Sequence, residues 1–166
     1  MVDSPKDSST ARPKPTKSVD FERGIPFLVA ALGNKLSDIA SRGVRKDLGI
    51  GLMEWRILAL LAVETEATPA RIGRVAGVDK SVVSRAAASL EQQGLVTIVA
   101  GPSGSRQTRL VLAPKGLEMH ERGIHIAVER NEALLHGFTP EERDQLAELL
   151  RRATANLPRM EEPRKR

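Results

Sequence analysis

The chain has 166 residues, 40% hydrophobic and 28% charged, the size and balance of one globular domain with or without tails. It has no Cys, which excludes disulfides, thiolate metal sites and Cys nucleophiles, and its four aromatic rings (Phe21, Phe27, Trp55, Phe138) are too few for a base-stacking platform. No apolar run approaches the ~20 residues of a membrane span and the start lacks a signal-peptide core, so a cytoplasmic location without membrane contact is expected. The net charge of +5 hints at a polyanionic partner.

Residues 1–17 are Ser, Thr, Pro and Lys with almost nothing apolar, and are expected to form a disordered arm. Residues 159–166 read as a second, flexible tail; both ends are either solvated or touch phosphates. Between them, Pro26 suits a first helical turn, and Phe27, Leu28, Ala31, Leu32, Leu36 and Ile39 recur at helical spacing, predicting a helix over about 26–47. A second helix is expected at about 53–64 around Trp55, Ile57, Leu58 and Leu61. Thr68-Pro69 supplies an N-cap and a first-turn Pro for a short helix that Gly77 closes. Asp79 caps the next helix, which runs to about Gln93 and stops at Gly94. Leu95–Ala100 and Arg109–Leu112 are β-rich runs flanking Gly101-Pro102-Ser103-Gly104-Ser105, hence a hairpin. A long helix follows over about 114–135. Thr139-Pro140-Glu141-Glu142 combines a cap, a first-turn Pro and a capping-box Glu, starting a last helix that ends near Asn156.

Short helix, turn, Asp-capped helix and glycine-tipped hairpin, over 68–112, is the order of a winged helix-turn-helix, whose second helix enters the DNA major groove. The charge agrees. Residues 71–115 hold seven cations against two anions, an excess equal to the net charge of the whole chain. Such a concentration is what phosphate binding requires. With Val83, Ala86, Ala87 and Leu90 as the buried stripe, Lys80, Ser81, Ser84 and Arg85 face outward. Arg85 can fork onto guanine, the serines can serve bases or phosphates, and each can equally be a phosphate contact or plain surface. Arg71, Arg106 and Arg109 complete the DNA-binding candidates. The fold class is therefore mainly α with a small β-hairpin wing: a DNA-binding unit at about 52–113 within a domain spanning 18–158.

At these residues the chain resembles the multiple-antibiotic-resistance regulator (MarR) family of bacterial transcription factors. The resemblance covers about 25–156 and rests on G-L-M-E-W-R-I-L at 51–58, A-R-I-G-R-V-A-G-V-D-K-S-V-V-S-R at 70–85, L-E-Q-Q-G-L-V at 90–96 and R-L-V-L-A-P-K-G at 109–116. It implies a homodimer built through the first and last two helices (about 25–48 and 114–156), a wing arginine in the minor groove, and a small-molecule cleft between those helices and the reading unit. It also implies a repressor relieved by aromatic carboxylates or other lipophilic anions, acting on a palindromic operator in duplex DNA. Two positions depart from the family pattern. The usual Asp-x-Arg wing tip is Gly104-Ser105-Arg106, and the usual Leu-Thr-x-x-Gly is Leu112-Ala113-Pro114-Lys115-Gly116. Loss of the acid and of the hydroxyl cap implies a looser wing.

Enzymatic readings find no support. The Gly101–Ser105 segment lacks the Lys-Ser/Thr and the strand-to-helix setting of a phosphate loop. His120 and His125 are five apart, the wrong spacing for a metal pair on a helix, and the carboxylates are scattered. No catalytic, metal or cofactor site is expected. Trp55 is either core or one wall of an effector cleft, with Asn34, Asp38, Arg42 and Arg74 as polar candidates beside it. Two readings besides the ligand-relieved repressor stay open: a winged-helix module for protein–protein contact, and a DNA-binding regulator without ligand control.

Overall fold

The structure, a computed structural model, describes residues 20–101 and 108–161. Helices α1 (Ile25–Leu48) and α2 (Leu52–Glu64) are followed by strand β1 (Glu66–Ala67), α3 (Pro69–Ala76), α4 (Lys80–Gln92), β2 (Val96–Ala100), β3 (Thr108–Leu112), α5 (Pro114–Leu134), α6 (Pro140–Ala155) and a single turn, α7 (Pro158–Glu161). The mainly helical architecture with a small antiparallel sheet is the one expected. Two elements were not. β1 is too short to carry an alternation, and α7 occupies part of the segment read as a tail. The arm at 1–17 lies outside the described residues. Among the described residues no helix is long and apolar enough to cross a membrane.

The chain divides into two units, one ending at Arg42 and one beginning at Gly43. In the first, Gly24 N donates to Asp20 O and leads into α1, and the Phe21 and Phe27 rings meet at 4.4 Å. Along α1, Leu28, Leu32 and Ile39 are exposed, Leu32 by 50%.

The second unit holds the core. Ile57, Leu58 and Leu61 of α2 pack with Ile72 of α3, Val83 and Leu90 of α4, and Leu95 and Leu110 beside and in the sheet. Full burial of such side chains contributes roughly 1.5–3 kcal/mol each. The sheet order is β1-β3-β2, antiparallel throughout, with Glu66 opposite Val111 and Val96 opposite Leu112. Helix α5 meets this core through Met119 and Ala127 and, at its closest approaches, through two glycines. A Cβ on Gly116 would lie 1.9 Å from the Leu95 carbonyl oxygen, and one on Gly123 would lie 2.3 Å from the Trp55 ring. At the start of α5, Ala113 occupies the cap position without a side-chain bond and Pro114 supplies the first turn, as the lost hydroxyl predicts. Arg130 of α5 pairs with Asp47 at 2.7 Å. Helix α6 starts on the predicted capping box, Glu142 N donating to Thr139 Oγ1 and Thr139 N to Glu142 Oε2.

Candidate nucleic-acid interface

The interface is built outward from the turn between α3 and α4. Thr68 Oγ1 accepts from Arg71 N, and Pro69 fills the first turn of α3. Gly77 ends that helix at φ +66°, in the left-handed region that a side chain resists. Val78 N returns to Gly73 O, and a Cβ on Gly73 would meet the Val78 carbonyl at 2.8 Å, so the close turn requires that glycine as well. Asp79 holds the cap position of α4 through its carbonyl, which accepts from Val82 N; its side chain makes no cap bond.

Val83, Ala87 and Leu90 lock one face of α4 into the core, with Ala86 half-buried beside them. The opposite face presents Lys80, Ser81, Ser84 and Arg85, all exposed, as their spacing predicted. The Ser84 hydroxyl donates to Lys80 O, so it can act toward a ligand only as an acceptor while that bond holds. Beside α4, β2 and β3 pair in register from Val96–Leu112 to Ala100–Thr108, the base of the expected hairpin. Its tip, residues 102–107 with Gly104, Ser105 and Arg106, lies outside the described residues.

Two of the proposed DNA-contacting cations are committed elsewhere. Arg71 forks onto Glu64, its Nη2 at 2.6 Å and its Nε at 3.1 Å from Oε1. The hydrogen bonds from Arg71 hold the Glu64 carboxyl below its ordinary range. Arg109, half-buried, pairs with Glu66 across the β1–β3 ladder. Sequence spacing gives no sign of either pair. Lys115 Nζ donates to Gln93 O at 2.9 Å. Lys80 and Arg85 thus remain the cations of α4 without a described acid partner.

The effector candidates fall on both sides of the unit boundary. Asn34, Asp38 and Arg42 are exposed on α1, and Arg42 pairs with Asp38 at 3.7 Å. In the second unit Trp55 is 9% exposed and stacks on His120, with ring centres 5.7 Å apart and planes 11° apart. It is therefore a core residue, yet its edge also lines an open groove of about 490 Å³ between α2 and α3, with Arg56, Leu60, Val63, Ile72 and Val75. Arg74 does not line this groove. Ile72, Val75 and Ala76 turn one side of α3 toward it, and at 100° per residue Arg74 falls on the other. The cation at the groove is Arg56, adjacent to Trp55 in sequence. No group of three or more His, Asp or Glu among the described residues is placed to hold a metal.

Residues 48–107, which contain α2 through the first half of the wing, match the model of the MarR family. A MarR/EmrR family transcriptional regulator from Acinetobacter sp. ADP1 superimposes with a TM-score of 0.78 at 28% identity, over 85% of this chain and 99% of that one. Over these residues the chain is similar to the MarR family of transcriptional regulators. MarR proteins are transcriptional regulators, not enzymes. A putative MarR regulator from Listeria monocytogenes, solved in complex with 26mer DNA, shares the fold at TM-score 0.74 and 20% identity, over 81% of this chain and 89% of its own. So does BpsR of Bordetella bronchiseptica, whose DNA binding is regulated by 6-hydroxynicotinic acid, at TM-score 0.63 and 17% identity, over 76% and 98%. No curated protein matches the chain.

Proposed function

We propose that this protein is a MarR-type regulator: a homodimeric, cytoplasmic, sequence-specific DNA-binding repressor that releases a palindromic operator when a small aromatic or lipophilic acid binds. The observation that carries the reading is α4 itself. One face is fixed in the core while Lys80, Ser81, Ser84 and Arg85 project from the other, which supports these side chains as the DNA contacts. The Listeria relative crystallised on DNA supports duplex as the partner.

Dimerisation is supported by apolar surface left open on each helix concerned. Leu28, Leu32 and Ile39 of α1, Leu117, Val128 and Leu134 of α5, and Leu149 and Leu150 of α6 are all exposed. Helices carrying that many open apolar side chains call for a partner. Two-fold symmetry then sets half-sites roughly 10–10.5 bp apart, centre to centre.

The groove beside Trp55 supports the ligand arm of the reading: apolar walls from Leu60, Val63, Ile72 and Val75 and one guanidinium, Arg56, suit a flat carboxylate. The BpsR relative responds to an aromatic acid of that kind. A ligand that carries a two-state population from 1:99 to 99:1 needs a differential affinity of about 10⁴. The test is a titration with 6-hydroxynicotinic acid and similar acids, following Trp fluorescence and operator release together. Sedimentation as a folded monomer at micromolar concentration would overturn the dimer, and binding without any change in operator affinity would overturn the switch.

A further inference from the structure

The turn between α1 and α2 opens onto a second groove, of about 600 Å³, on the α4 side of the unit. Arg45, in the last turn of α1, and Arg85 of α4 both line it, together with Glu54, Ser89, Gly49 and Gly51. Neither arginine has an ion pair with a described acid. The one carboxylate in the groove, Glu54, accepts from Gly51 N and so caps α2. Gly49 sits at φ +74°, and a Cβ there would touch nothing within 4 Å, so the turn is open to the approach of another backbone.

The geometry points to Arg45 as a DNA phosphate anchor, a contact that rests on the DNA-binding reading of α4. Arg45 is off the recognition helix, so it does not follow α4 into a groove of the duplex. It stands beside Arg85 along the same depression, where the two guanidiniums outweigh the single carboxylate. A duplex laid on the exposed face of α4 brings a strand along that side, and a planar guanidinium is suited to grip its phosphate. Arg45 then fixes the register in which Arg85 meets DNA. The groove is open and mostly polar, with no apolar enclosure for a free small anion.

The test compares the wild type with R45A and R45K on two unrelated duplexes of about three helical turns, by fluorescence anisotropy over a range of salt. R45A should weaken binding to both duplexes alike and lower the salt slope by about 0.9 per bound protomer, while R45K keeps the slope because it keeps the charge. Thermal unfolding of R45A should match the wild type. A wild-type slope in folded R45A overturns the anchor, as does a loss confined to one of the two sequences, which would make Arg45 a base reader. Stabilisation of the wild type by inorganic phosphate at fixed ionic strength, abolished in R45A while the duplex slope stays unchanged, would assign a free-anion site and overturn it too. Absence of wild-type binding at low salt would overturn the DNA-binding reading and the anchor with it, whereas an effect missing only from the variant overturns the anchor alone.

Discussion

Replacing Gly116 by alanine reverses the usual sign of a glycine-to-alanine change in a helix. In an open helical position the substitution stabilises by about 0.5–1 kcal/mol, because alanine loses less backbone entropy on folding. Gly33 is such a position. It lies in α1 with nothing within 4 Å of the place a Cβ would take, and G33A should gain that amount. At Gly116 the added carbon would lie 1.9 Å from the Leu95 carbonyl oxygen and 2.9 Å from its carbon, both backbone atoms that cannot rotate away. Either α5 lifts or β2 moves. That oxygen also accepts from Ala113 N at 3.1 Å, and the shift breaks the bond. Overpacking costs about 1–3 kcal/mol and a buried, unpaired carbonyl a similar amount, partly the same strain. Against a gain below about 1 kcal/mol, G116A should lose about 1–3 kcal/mol net. Urea unfolding at a fixed protein concentration reads this as a lower midpoint at unchanged slope. A G116A protein as stable as G33A would refute the close contact and the reasoning built on it.

Glu66→Gln releases Arg109 and should raise the salt slope of duplex binding by about 0.9 per protomer; an unchanged slope would confine Arg109 to holding the base of the wing. R85A should cost about 1–3 kcal/mol at one base pair per half-site if Arg85 reads guanine, seen by binding to single-substitution operators, whereas equal weakening on every sequence makes it a phosphate contact. Thr65 ends α2 at φ +65° and ψ −47°, a conformation costly for a β-branched residue. T65G should therefore raise the midpoint of urea unfolding by the equivalent of about 1 kcal/mol. Hydrogen bonds from Arg71 and Arg143 hold the Glu64 and Glu132 carboxyls below the ordinary value of 4.5. A lowered folded value stabilises above 4.5 and is lost as the pH falls through the folded value, so E64Q/E132Q should flatten the acid limb of Tm against pH.

Local chemistry made most of the fold legible in the sequence. Thr68-Pro69, Gly77, and Thr139 with Glu142 act within one turn of the chain, and the helix ends they predict fall within about two residues of those observed. Helical spacing alone placed Lys80, Ser81, Ser84 and Arg85 on one open face of α4. What escaped depends on distant partners. The strand Glu66–Ala67 exists because β3 lies beside it, and Arg109 meets Glu66 across 43 positions of sequence. The places of Arg56 and Arg45 at their grooves are not legible either, because a charge on a helix says nothing about which neighbour it faces. The packing of Ile72 and Val75 sets the rotation of α3, and with it which side Arg74 faces, which no local signal in the sequence encodes.

The two glycines of α5 have a mechanical consequence. Side chains between packed elements act as cushions, since a change of rotamer absorbs a small displacement before it reaches the next backbone. Gly116 and Gly123 remove that cushion at two of the places where α5 packs, against the peptide of Leu95 and against the Trp55 ring. At these two points the helix is therefore coupled directly to the root of the hairpin and to the indole that lines the α2–α3 groove. A tilt of α5 by a fraction of an ångström at Gly123 presses the indole, and at Gly116 it carries the first residue of the wing with it.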